Sequence, residues 1–257
     1  MRLRPFSVAL LLASFAATSP ATADELRVLS AGAFRKVVDA MAPIYQRQTG
    51  HKLAIDNGTV GQLSARIEKG EAFDLLIVSP EAVARLGEKG FVVAERMKPL
   101  ARVGVGVMVR DGAAKPDIAS VESFKAALLA APTIAYIDPK SGGSSGVYIA
   151  GLLQRLGIAE AVAPKAKLKQ GGYVADLLLK GEAELGLHQI SEIVPVKGVT
   201  LVGPLPPAIQ NYTVYAGAPS TKAGNAQAVQ ALLDLLAGPD VAAALAPMGM
   251  ERAPPSP

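Results

Sequence analysis

The chain contains no cysteine and no tryptophan, only two histidines, and aromatic residues make up 5% of its 257 positions. Without cysteine there can be no disulfide, no thiolate metal site, no cysteine nucleophile and no lipid-modified cysteine to tether the protein. So few aromatics, and no Lys/Arg run interleaved with them, argue against a stacking surface for bases or sugars and against nucleic acid as a partner. The formal charge is only +4, and it falls by two if Arg2 and Arg4 leave with the segment described next. His51 and His188 stand in no spacing with Asp or Glu that suits a metal, so no metal or other cofactor is expected. Beyond the N-terminal segment, no stretch approaches the roughly 18 continuous apolar residues of a membrane helix.

What is present begins with Arg2 and Arg4 ahead of an apolar stretch from Phe6 to Ala17, followed by the small-x-small triplet Ala21-Thr22-Ala23. That layout is a cleaved secretory signal. Residues 1–23 are expected to be removed, with Asp24 the first mature residue and the periplasm as the compartment. The remainder suffices for two lobes of roughly 100 residues each.

Strand and helix signals alternate along it. Leu26–Leu29, Leu53–Asp56 and Asp74–Val78 read as strands. Val37, Met41, Ile44 and Gln48 recur at helical spacing until Gly50, and further helices are expected at 63–68 and 81–88. A long Val/Gly strand spans 102–110. A second series then follows, with helices at 121–130, 147–156 and 174–179 and strands at 133–137 and 185–188. Tyr212–Ala216 returns to C-terminal helices at 226–236 and 241–246. Such alternation implies parallel-rich sheets with helical crossovers. We therefore expect lobe 1 to comprise residues 24–103 and 215–250, lobe 2 to comprise 104–214, and a disordered tail at 251–257.

Four turns built almost only from small residues are the most informative feature. They are Ser30-Ala31-Gly32-Ala33, Asn57-Gly58-Thr59-Val60-Gly61, Ser141-Gly142-Gly143-Ser144-Ser145-Gly146 and Gln170-Gly171-Gly172. Each lies between a strand and a helix, where backbone N–H groups, short hydroxyls and a helix dipole can converge on a small anion. A plain N-cap or ordinary glycine punctuation is the competing reading of each. Two turns fall in each lobe, and ligands of open α/β sheets bind at the carboxyl ends of strands, so all four can face one crevice. The third turn lacks the lysine of a nucleotide-binding loop. It does spell G-x-S-x-G around Ser144, and Asp176 and His188 follow in the order a hydrolase would need, though with little chain between them.

The strings Leu29-Ser30-Ala31-Gly32-Ala33, Arg66-Ile67-Glu68-Lys69-Gly70-Glu71-Ala72-Phe73-Asp74-Leu75, Ser145-Gly146-Val147-Tyr148 and Gly181-Glu182-Ala183-Glu184-Leu185-Gly186 resemble those of the periplasmic molybdate-binding proteins of ABC importers. The resemblance implies a type II periplasmic binding protein: two α/β lobes joined by two crossover strands, with the ligand cleft between them and a membrane permease as partner. It further implies that two serine hydroxyls, two backbone N–H groups and a tyrosine hydroxyl hold the oxyanion, at positions that fall here on Ala33, Val60, Ser145, Gly171 and Gln189. All three side-chain hydroxyls are missing at those positions, which argues against molybdate, since each hydrogen bond lost to a buried dianion costs about 1.5–3 kcal/mol. Ser30, Thr59, Ser144 and Tyr173 are the nearby candidates to compensate. Pro116-Asp117-Ile118, Gln189-Ile190-Ser191-Glu192 and Tyr215-Ala216-Gly217-Ala218, among others, are similar to the aconitate isomerase branch of the same fold.

The expected ligand-binding residues are thus Ser30, Ala31, Ala33, Thr59, Val60, Ser144, Ser145, Gly146, Gly171 and Gln189. The expected function is a monomeric solute-binding protein that captures a small anion, an organic carboxylate in preference to an oxyanion, for an ABC importer. The alternative is an isomerase of the aconitate type, for which His188 and Gln189 are the candidate catalytic residues. Arg35, Lys140 and Lys169 are the cations nearest the turns. His51, after Gly50, reads as a surface residue.

Overall fold

The computed structural model describes residues 25–254; the expected secretory signal lies outside them. The elements in order are β1 (Glu25–Ala31), α1 (Gly32–Thr49), β2 (Lys52–Gly58), α2 (Val60–Glu68), β3 (Leu75–Val78), α3 (Pro80–Glu88), β4 (Lys98–Arg110), α4 (Val121–Ala130), β5 (Ile134–Ile137), α5 (Ser144–Arg155), α6 (Ala159–Val162), β6 (Ala166–Lys169), α7 (Ala175–Leu179), β7 (Leu185–Gln189), β8 (Val199–Pro204), β9 (Tyr212–Pro219), α8 (Ala226–Ala237), α9 (Ala242–Leu245) and β10 (Met250–Arg252). The strand path is β2-β1-β3-β9-β4-β7-β5-β6, with β8 and β10 also on β4. Pairing is parallel among β1, β2 and β3 and among β5, β6 and β7, and antiparallel where β9 and β4 intervene.

One strand serves both lobes. Residues 98–104 of β4 pair with β9 and β10 in lobe 1, and residues 105–110 pair with β7 and β8 in lobe 2. Its alternating side chains divide the second lobe's core: Val105, Val107 and Val109 join Phe124, Ile149 and Leu187, whereas Met108 joins Ile137, Val174 and Leu178 on the other face. The first lobe has a single large core around Val28, Phe34, Val37, Leu75, Leu76 and Leu232. There the buried Tyr45 of α1 donates its hydroxyl to the Ala228 carbonyl of α8 at 2.8 Å.

Where β4 passes between the lobes, a side chain substitutes for a neighbouring strand. The Gln210 amide accepts from Val105 N and donates to Val105 O, both at 2.9 Å, and its oxygen also accepts from Asn211 N at 2.8 Å. Gly104 leaves room for this clasp, because a Cβ there would lie 2.9 Å from Gln210 Nε2. Nearby, the Tyr148 hydroxyl of α5 donates to the Ile209 carbonyl.

The last described strand is tied down, while residues 255–257 of the expected tail lie outside the described residues. β10 pairs with residues 101–103 of β4, Arg102 bridges Glu251, and the Arg252 guanidinium donates at 2.6 Å to the carbonyls of Ala237 and Gly238 that end α8. Glu251 and Arg252 are therefore strand residues, although the sequence reads as a tail from 251 onward.

Candidate functional site

The four small-residue turns meet. A cleft with about 380 Å³ of empty space between the lobes is lined by Ala31, Gly32 and Ala33 from the first turn, residues 57–60 from the second, Gly143, Ser144 and Ser145 from the third, and Gly172 from the fourth. Ile137, His188, Gln189, Glu192 and Tyr215 complete the wall. Gly32, Asn57, Gly172 and Glu192 also border an outer chamber that Arg35, Lys36, Asp39 and Tyr173 enclose.

The helix starts differ in what they offer. At α1 and α5 the N-cap residues, Ala31 and Gly143, provide no side-chain cap. Two helices of 18 and 12 residues thus direct uncapped N-termini at the cleft from opposite lobes. In contrast, α2 is closed by a capping box between Thr59 and Gln62. The fourth turn leads only into α7, five residues long, so it adds little dipole.

Several expected residues have other tasks. Ser30 is buried beside the cleft and outside its wall, with its hydroxyl donated to the Ala31 carbonyl. Thr59 lines the cleft, but its hydroxyl accepts from Gln62 N and donates across the lobes to the Ser141 carbonyl. Gly146 lies behind the wall, where an added Cβ would come within 2.2 Å of the Ile137 carbonyl oxygen; its bareness lets α5 approach β5. Gly171 faces Gln62, whose Nε2 donates to the Gln170 carbonyl at 2.9 Å. With Gly61 N donating to Gly142 O at 3.2 Å, these bonds form a seam that closes one lobe on the other.

Ala31, Ala33, Val60, Ser144, Ser145, His188 and Gln189 do share the wall. Among the cations, Arg35 borders the outer chamber, held by Asp39 at 2.7 Å and Asn57 at 3.1 Å. Lys169 pairs with Asp176 at 3.1 Å, and Lys140 lines neither chamber. His51 packs against Tyr45 at the far end of α1. The hydrolase arrangement is not assembled, because Asp176 is engaged by Lys169 and His188 meets Glu192. No cluster of metal-ligating side chains occurs among the described residues.

Two residues outside the expected set dominate the chemistry. Glu192, in the three-residue turn after β7, places Oε2 at 3.3 Å from His188 Nε2, and its Oε1 lies 2.5 Å from where a Cβ on Gly32 would be. Burial pushes the Glu192 carboxyl up to about 8. Burial, with Lys169 adding, lowers His188 to about 3, so both shifts favour the neutral forms of the pair. Tyr215, from β9, is raised by burial and by Glu192, against the opposing influence of the Ser144 and Gln189 side chains beside its hydroxyl. A phenol therefore stands next to Gln189, the position at which the family resemblance implies a tyrosine. The neutral wall retains unused capacity: His188 Nδ1 and Gln189 Oε1 are buried without hydrogen-bond partners, while Gln189 Nε2 donates to Thr213 at 2.8 Å.

Comparison with known proteins agrees with this architecture. The chain is 32% identical to an aconitate isomerase of Pseudomonas sp over 255 residues, covering 97% of this chain and 96% of that protein. It is 27% identical to the molybdate-binding protein ModA of Azotobacter vinelandii over 232 residues, 85% of this chain and 86% of the relative. The solved structure of the periplasmic molybdate-binding protein from Azotobacter vinelandii superposes with a TM-score of 0.74 at 19% identity, covering 89% of this chain and all of that one. Residues 26–251 match the family model described as bacterial extracellular solute-binding protein. With two lobes, a cleft floored by strand ends and helix N-termini, and a match across nearly all of the described chain, this protein belongs to the family of bacterial extracellular solute-binding proteins.

Proposed function

We propose that the protein closes over a small organic carboxylate and presents it, as a periplasmic monomer, to an ABC permease. The observation that carries this reading is the convergence of the uncapped N-termini of α1 and α5 on one cleft whose described wall holds no Lys or Arg. Such an arrangement stabilises a negative group without a dedicated cation. Methyl and methylene groups of Ala33, Val60 and Ile137 share the wall, which suits the carbon skeleton of an organic acid better than a bare tetrahedral oxyanion. The outer chamber with Arg35 and Lys36 extends the space beyond the first anionic group. Isothermal titration against citrate, cis-aconitate, trans-aconitate, molybdate and tungstate tests the reading. Tighter binding of a carboxylate is expected, and preference for molybdate or tungstate would overturn it.

A second reading rests on the His188–Glu192 pair. An allylic proton shift needs a base at the acidic C–H and an acid at the far end of the double bond. A neutral imidazole with a free ring nitrogen beside a protonated carboxyl supplies both, and the 32% identity to an aconitate isomerase supports it. An ultraviolet assay for interconversion of the aconitate isomers decides the matter. Activity abolished by His188→Ala or Glu192→Gln would establish the enzyme, whereas no turnover by the intact protein would dismiss it.

A further inference from the structure

The Glu192 carboxyl stands in the partition between the two chambers and borders both. It is nearly buried, and its only ion-pairing neighbour within 4.0 Å among the described residues is the His188 imidazole at 3.3 Å. Facing it are His188 from β7, Tyr215 from β9, Tyr173 from the segment before α7, and Arg35, Lys36 and Asp39 from α1. Arg35 is committed to Asp39 and Asn57, and Lys36 is an exposed residue that lines the outer chamber more than 4.0 Å from the Glu192 carboxyl. An anion drawn to the start of α1 therefore arrives next to Glu192, since the Glu192 oxygen lies against Gly32, the first residue of that helix. Two negative charges at that separation in a poorly hydrated cleft repel strongly. A protonated carboxyl instead donates to the incoming oxygen.

Resting on the reading of the cleft as an anion site, we propose that Glu192 makes capture proton-linked, so that the site takes a fully ionised carboxylate or oxyanion together with one proton held on Glu192. Burial already pushes this carboxyl up to about 8, so the proton is in place at neutral pH and is lost in mild alkali. Affinity then declines tenfold per pH unit above that value, because each unit lowers the protonated fraction tenfold. Glu192 thereby acts as a specificity-determining residue, favouring occupants that bring an acceptor oxygen to its side of the cleft.

Trans-aconitate and molybdate, both fully ionised above pH 6.5, serve as probes. Titration calorimetry from pH 6.5 to 9.5, in HEPES and Tris to count protons, should give near-constant affinity up to about pH 8, the tenfold-per-unit decline beyond it, and uptake approaching one proton per anion at pH 9. In Glu192→Gln the slope and the proton uptake should both vanish, whatever the absolute affinity. A flat profile in the intact protein, a slope retained by Glu192→Gln, or complete loss of binding in that variant at every pH would each overturn the inference, since an amide donor should replace a protonated carboxyl. If neither probe binds, the anion-site reading fails by itself, and Glu192 is judged from melting curves of the unliganded proteins. A melting temperature gap that widens in favour of Glu192→Gln between pH 5 and 9 supports the raised carboxyl, and parallel curves overturn it.

Discussion

Replacing Gly61 by alanine should weaken anion binding while slightly stabilising the unliganded fold. The added methyl would sit 2.6 Å from the Ser141 carbonyl oxygen and 2.8 Å from Gly142 Cα, both backbone atoms of the other lobe. Ordinary contacts of this kind need about 3.5–4.0 Å, so the seam must open by roughly 1 Å. Three bonds then lengthen together: Thr59 Oγ1 to Ser141 O, Gly61 N to Gly142 O, and Gln62 Nε2 to Gln170 O. At about 0.5–1.5 kcal/mol each, the closed state loses roughly 1.5–4.5 kcal/mol, or about 10- to 2,000-fold in affinity. Within lobe 1 the effect has the opposite sign. Gly61 is the second residue of α2, where alanine is favoured over glycine by less than the roughly 0.8–1 kcal/mol of a helix interior. Calorimetry with a bound carboxylate, paired with thermal denaturation of the free protein, separates the two effects. Affinity within twofold of the parent would refute the assignment of this seam to the binding-competent state, as would an affinity loss matched by an equal loss of thermal stability.

Stability of the closed protein should peak between about pH 4.5 and 6.5. Lowered to about 3, His188 contributes stability that is full above its unfolded value of 6.5 and is lost as pH falls through 3; Glu192, raised to about 8, contributes stability that is full below 4.5 and is lost as pH rises through 8. Each changes by about 1.4 kcal/mol per pH unit inside its window, so the two cancel where the windows overlap, and a denaturation midpoint that climbs steadily to pH 9 would contradict this. Tyr215→Phe should reduce affinity about 10- to 150-fold with little change in melting temperature, from loss of a hydroxyl donor to a charged ligand; unchanged affinity would mean that the phenol does not face the anion. Gln210→Ala should lower unfolding free energy by about 1–3 kcal/mol and accelerate hydrogen exchange at the Val105 amide, and undiminished protection there would rule out the clasp.

Much of the architecture was legible because its strands are apolar and its helices carry a regular stripe. The helix at 121–130 agrees to the residue, and β3, β5 and β7 differ from expectation by one residue at an end. Three strands carried weaker signals. Ala166–Lys169 alternates alanine and leucine with two lysines on a sheet edge, Val199–Pro204 is half-exposed and ends in Gly-Pro, and Met250–Arg252 is three residues long and held by the charged side chains of Glu251 and Arg252. In the site, the convergence of the small-residue turns followed from topology alone. Glu192 and Tyr215 were invisible to that reasoning because they lie outside the turns, on a short turn after β7 and on the strand that returns to lobe 1. Their only sequence trace was membership of the strings Gln189-Ile190-Ser191-Glu192 and Tyr215-Ala216-Gly217-Ala218. Hydroxyls at single aligned positions tell only part of the wall, since Thr59 spends its hydroxyl on the seam while Tyr215 brings one from a different strand.

The pairing of β10 with β4 has a mechanical consequence. Glu25, at the start of β1, and Arg252, at the end of β10, both belong to the sheet of lobe 1, so the first and last described strands lie on the same side of the hinge. A load, label or surface attached at the end of β10 pulls on lobe 1 alone and leaves lobe 2 free to swing. The protein can therefore be immobilised by that end and still open and close, with a fluorophore on lobe 2 registering the motion as a change of distance from the anchored surface.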